Sequence, residues 1–120
     1  MKELTKAEEQ VMQVLWELEK GFVKEIIPKL PSPKPAYNTV STIVRILEQK
    51  GFVKHESFGR SHRYFPIVDK DDYTEFATDR LMKGYFDNSV KSMISFFVNE
   101  KKMSIEELDE VLETLKNQKK

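Results

Sequence analysis

Asn38, Ser41, Thr42, Arg45 and Gln49 recur at steps of three and four residues, so on a helix they share one face. That face carries short hydrogen-bond donors and acceptors plus one guanidinium, and no acidic residue interrupts it. Such side chains match the donor and acceptor pattern of base edges in the major groove of DNA, while nearby cations engage phosphates. A polar helix face is more often simply solvated, so its neighbours decide. Lys54, Arg60 and Arg63 follow in a short β-rich stretch, and Lys34 to Val68 holds six basic residues against two acidic ones, a net of +4. Thr39, Ser41, Thr42 and Arg45 are expected to face the groove, with Arg45 as the guanine reader. Asn38 is expected to reach a phosphate or an adenine edge. Lys54, Arg60 and Arg63 are expected to hold the backbone or enter the minor groove.

Other chemistries find little support. The chain has no cysteine, which removes disulfides, thiolate metal sites and a Cys nucleophile. His55 and His62 face each other if a hairpin turns at Phe58-Gly59, but two ligands without Cys or a nearby carboxylate pair do not close a zinc site. Neither a metal nor a cofactor is expected. No nucleophile with its base, Gly-rich phosphate loop or HExxH box occurs, so the sequence does not read as an enzyme. Trp16 reads as a packing residue or a phosphate-contacting indole. The longest apolar run falls far short of the roughly 20 residues of a membrane span, and MKELTKAEEQ lacks the apolar core of a signal peptide. These features predict a cytoplasmic protein without direct membrane binding.

The elements that must carry these residues are legible in turn. Thr5-Lys6-Ala7-Glu8 is a capping box opening a first helix, whose apolar stripe runs Leu4, Ala7, Val11, Val14, Leu15, Leu18 up to a stop at Gly21. A short second helix fits Val23 to Leu30, with Pro28 expected to kink or shorten it. Pro31 to Pro35 reads as an extended connector. The third helix, about Tyr37 to Lys50, buries Val40, Ile43, Val44 and Leu47 and ends at Gly51. Two strands, 52–57 and 62–67, flank the turn Phe58-Gly59-Arg60-Ser61. Three helices and a hairpin in this order make a winged helix-turn-helix. The predicted fold is therefore mainly α with a small β-hairpin, followed by a helical dimerisation region.

The 20 basic and 20 acidic residues cancel over the whole chain, yet they are unevenly placed. Composition changes at Val68-Asp69: residues 1–68 hold 11 basic and 8 acidic side chains, a net of +3, and residues 69–120 hold 9 and 12, a net of −3. The expected division is a DNA-binding domain over 1–68 and a dimerisation domain over 69–120. In the second, Tyr73, Phe76, Leu81 and Tyr85 form one apolar side, and Val90, Met93, Ile94 and Phe97 a second. Behind the capping box at Ser104 to Glu107, Ile105, Leu108, Leu112 and Leu115 form a third. Three one-sided helices in so short a segment make a poor core alone, which favours pairing with a second copy about a two-fold axis. A dimer places two recognition helices about one turn of DNA apart, matching a palindromic operator. The contrasting expectation is a winged helix that binds a protein, with the C-terminal helices as its docking surface.

The motifs Leu4-Thr5-x-Ala7-Glu8, Val14-Leu15-Trp16, Val23-Lys24-Glu25-Ile26, Tyr37-Asn38-Thr39-Val40-x-Thr42, Leu47-x-x-Lys50-Gly51-Phe52 and Gly59-Arg60-x-x-x-Tyr64-x-Pro66 resemble those of penicillinase-repressor (BlaI/MecI-type) transcriptional regulators. The resemblance spans nearly the whole chain and implies a homodimeric winged-helix repressor of transcription. It further implies a membrane-bound sensor metalloprotease as partner, whose action leads to a cut in the dimerisation region near Phe96-Phe97. Two positions depart from the family pattern: Phe96 stands where the family carries Asn, and Asn38 where it carries Lys.

Overall fold

The computed structural model describes residues 1–100 and 102–118 of the chain. Helix α1 (Lys6–Leu18) starts at the predicted capping box: the Glu8 amide donates to Thr5 Oγ1 at 3.2 Å, and the Thr5 amide donates to Glu8 Oε1 at 3.1 Å. It ends before Gly21. Glu19 turns into positive φ (69°) and its amide closes on Leu15 O at 2.8 Å. Gly21 has another role: it is buried, and a Cβ there would lie 3.3 Å from Leu18 Cδ1. With Phe22 it forms a short strand, β1 (Gly21–Phe22), which the hydrophobic pattern is too brief to reveal.

Helix α2 (Val23–Ile26) gives way to a 3₁₀ turn (Ile27–Lys29), so the expected helix to Leu30 is cut short. Pro28 has no amide to donate, and its ring excludes a further α-helical turn. Helix α3 (Tyr37–Gln49) follows, and Gly51 at φ 83° reverses the chain, with the Phe52 amide on Leu47 O at 2.9 Å. Strands β2 (Val53–Phe58) and β3 (Ser61–Pro66) pair antiparallel around Gly59-Arg60, where Gly59 takes the positive φ (61°) that a tight hairpin turn requires. The sheet has three strands, not two. Its order is β1-β3-β2, with Gly21 opposite Tyr64 and Phe22 opposite Arg63.

Two compact units divide the chain at Ala77/Thr78, inside helix α4 (Lys70–Phe86). The first, Met1–Ala77, is the winged helix. Its core joins Val11, Met12 and Leu15 of α1, Ile26 of α2, Val40, Val44 and Leu47 of α3, Phe52 just before β2, and Val53 and Tyr64 of the sheet. Tyr73 completes that core, and Phe76 packs against it, although their spacing had placed both on the dimerisation face. The Tyr73 ring meets Phe52 edge-on at 5.6 Å and Trp16 at 6.1 Å, and its hydroxyl accepts the Leu4 amide at 3.3 Å. Trp16 is a packing residue whose indole N–H donates to Val68 O at 2.9 Å. The start of α4 thus covers aromatic surface of the winged helix, which is why compactness ends nine residues after the compositional boundary.

The second unit, Thr78–Lys120, contains the end of α4, helix α5 (Val90–Asn99) and helix α6 (Ile105–Gln118). Asp87 and Asn88, at φ 49° and 60°, terminate α4; Ser89 caps α5, and Ser104 with Glu107 forms the second predicted capping box. No described residue of α5 or α6 is buried. Leu81, Tyr85, Val90, Phe96, Ile105, Leu112 and Leu115 are exposed, and Met93, Ile94, Phe97 and Leu108 are half-buried. Among the described residues, no helix is long and apolar enough to cross a membrane.

Candidate nucleic-acid interface

Helix α3 turns Val40, Val44 and Leu47 inward, so periodicity leaves Asn38, Thr42, Arg45 and Gln49 exposed on the opposite side and Ser41 half-buried at its border. Two local bonds organise this face. Thr42 Oγ1 donates to Asn38 O at 3.0 Å, and Arg45 Nε donates to Ser41 O at 3.2 Å, laying the guanidinium back along its own helix beside Thr42 Oγ1 (3.5 Å). Thr39 lies on another flank: it lines a hollow with Pro31, Pro33, Pro35 and Ile43, against the connector.

The hairpin meets α3 on the other flank. A polar hollow there is lined by Val23, Tyr37, Ser41, Arg45, Arg60, His62 and Tyr64, bringing α3 and the wing tip together. Tyr37, Ser41 and Arg45 form a ridge at four-residue steps, which the sequence already contained. Val23, Tyr37, His62 and Tyr64 are the lining residues that sequence reasoning did not assign to the interface, and Tyr37 is 58% exposed. His62 emerges only from the register, which sets it opposite Ser57 on the sheet face that also carries His55 and Tyr64. The two imidazoles stack at 4.2 Å and 9°. The hairpin turns at Gly59-Arg60, one residue later than direct facing requires, so His55 lies opposite Tyr64 and the rings meet diagonally; His55 Nδ1 is 2.8 Å from Glu48 Oε2. Burial raises the Tyr64 phenol above its ordinary range, helped by the Glu48 charge.

Arg63 points to the opposite sheet face. Its guanidinium lies 4.9 Å from the Phe58 ring centroid, with Nη2 3.2 Å from Glu56 Oε1. Lys20 reaches the same carboxylate at 3.1 Å, and the hydrogen bonds from Lys20 and Arg63 hold Glu56 below the usual carboxylate range. Arg63 is therefore neutralised locally. Lys34 is likewise occupied, capping the carbonyls of Pro28 and Leu30, and Lys50 bonds Glu8 at 2.6 Å. Among the described residues, Arg45, Lys54 and Arg60 form no ion pair with a carboxylate, so three of the six basic residues in 34–68 present unneutralised charge. The structure brings Arg45 and Arg60 to one hollow and leaves Lys54 exposed on the outer sheet face.

The sequence pattern of the penicillinase repressor family matches residues 4–117. The chain belongs to that family. The penicillinase repressor of Bacillus licheniformis is 31% identical over 126 residues, covering 98% of this chain and 95% of that one. A methicillin resistance regulatory protein MecI of Staphylococcus aureus is 23% identical over 110 residues, covering 91% and 89%. In three dimensions, the solution structure of the DNA-binding domain of the repressor BlaI superposes with a TM-score of 0.52 at 31% identity. It covers 61% of this penicillinase-repressor-family chain and 94% of the solved domain.

Proposed function

We propose that this chain is a dimeric transcriptional repressor that reads a palindromic operator in the cytoplasm with α3 and the wing. The observation that carries the reading is the acid-free lining shared by α3 and the wing tip, with Arg45 and Arg60 unneutralised, in a member of the penicillinase repressor family. Residues 1–68, completed by the start of α4, form the DNA-binding part. Residues beyond it supply the dimer: their exposed apolar side chains, Leu81, Tyr85, Val90, Ile105, Leu112 and Leu115 among them, find burial against a second copy. Dimerisation joins two weakly held half-sites into one bivalent grip, a gain on the order of 100-fold. Proteolysis near Phe96-Phe97 in α5, triggered by a membrane-bound sensor metalloprotease, separates α6 from the rest of the dimer unit and releases DNA; Phe96 is 44% exposed there.

Selection of bound duplexes from a random library tests the reading. It is expected to return two inverted half-sites, with affinity falling steeply as salt rises because each phosphate contact releases counterions. A chain that binds no duplex at low salt instead belongs to the protein-docking class.

A further inference from the structure

We propose that the hollow between α3 and the wing binds one phosphodiester of the DNA backbone, held jointly by Arg45, Arg60 and His62, and that His62 takes up a proton as the phosphate enters. The inference rests on the DNA-binding reading above and names the atoms that meet the backbone. Two guanidinium groups, one imidazole, the Ser41 hydroxyl and the Tyr37 phenol line a single concavity that contains no carboxylate. A phosphodiester carries one negative charge and two free oxygens, and planar guanidinium forks match that geometry. Arg45 is already turned along α3 by its bond to Ser41 O, toward the hollow it shares with Arg60.

The imidazole pair supplies the second half of the inference. His55 and His62 stack nearly parallel at 4.2 Å, and only His55 has a carboxylate partner, Glu48 of α3, at 2.8 and 3.0 Å. The groups around His62 are Tyr37 and Arg45 from α3, His55 from β2, Tyr64 from β3 and Arg60 from the turn. Glu48 is bonded to the His55 ring that stacks on His62, and its charge also acts on Tyr64. His62 therefore stands beside two guanidinium groups with no carboxylate partner among the described residues. A phosphate in the hollow supplies a negative charge next to the ring and favours its protonated form, so phosphate and proton enter together.

The test uses the full chain and a labelled random-sequence duplex at low salt, because a backbone contact is independent of sequence. Anisotropy is expected to show binding at least about threefold tighter per protomer at about pH 6 than at about pH 8. His62→Gln is expected to bind more weakly at the lower pH and to lose the pH dependence. His62→Lys, which fixes the charge, is expected to bind tightly at both. A backbone contact takes the place of the guanine contact expected of Arg45, so Arg45→Ala and Arg60→Ala are expected to lose affinity equally on random and selected duplexes. Wild-type binding that does not change with pH, or a pH slope that survives His62→Gln, overturns the phosphate site while leaving DNA binding intact. No binding to any duplex at either pH overturns both. A His62 ring resonance moved by inorganic phosphate but not by duplex assigns the hollow to a free anion and overturns the backbone contact.

Discussion

Replacing Tyr73 by alanine tests whether the start of α4 belongs to the winged helix. The ring is 7% exposed, lies against Phe52 and Trp16, and its hydroxyl accepts the buried Leu4 amide at 3.3 Å. Truncating a buried aromatic residue costs about 3–5 kcal/mol, and the lost hydrogen bond, which leaves the Leu4 amide unsatisfied, adds about 1 kcal/mol. A unit of this size is typically stable by only about 4–12 kcal/mol. Urea unfolding of a fragment ending at Ala77 is therefore expected to lose a large share of its stability on Tyr73→Ala. Removing the hydroxyl alone, with Tyr73→Phe, is expected to cost only about 1 kcal/mol. A fragment ending at Val68 lacks the ring altogether and is expected to unfold at a lower midpoint than the longer one. Equal midpoints for the two fragments would refute the placement of Tyr73 and return the boundary to Val68-Asp69.

Other consequences follow from single contacts. Burial pushes the Glu8 carboxyl up, but the Lys50 ammonium at 2.6 Å and the bonds from Thr5 outweigh it and hold the group below its ordinary range. Its stabilising contribution is present above the unfolded-chain value and is lost as pH falls through the folded one; Lys50→Met is expected to flatten the acid limb of a stability profile. Leu112→Glu, at a residue 45% exposed in the single chain, is expected to leave helicity unchanged while sedimentation shifts from dimer to monomer. Gly59→Ala places a side chain at φ 61° in the wing turn and is expected to destabilise by about 1–2 kcal/mol in denaturant titration.

Elements with long periodic stripes or a cap signature were legible in the sequence. Helices α1 and α3 and the hairpin fall where Thr5, Glu8, the Val40 to Leu47 stripe and Gly59 place them. What escaped was decided by tertiary geometry. Two residues, Gly21 and Phe22, are too few for a period, and they become a strand only because β3 offers an open edge. Tyr73 and Phe76 have the same spacing as the rest of the α4 stripe, so spacing cannot tell that their burial lies in the winged helix. At the interface, composition treats Arg63 and Arg60 alike, yet strand alternation sends the first to Glu56 and leaves the second at the hollow. The charge asymmetry is redistributed as well: residues 1–77 contain 12 basic and 12 acidic side chains, so the compact winged helix is neutral overall and its positive character is local.

The sheet order β1-β3-β2 puts β3 in the middle, paired with β1 only at Arg63 and Tyr64, and makes a two-residue strand and β2 the edge strands. Of the two edge strands, β2, six residues long, offers the longer row of backbone groups to another molecule. Along it Lys54 and Glu56 alternate with His55 and Ser57, so an incoming strand meets a charge at every second position. The same residues that make the wing polar therefore also guard against edge-to-edge aggregation. Redesign of the wing for altered DNA preference is safest when it leaves those two charges in place and confines apolar changes to the turn.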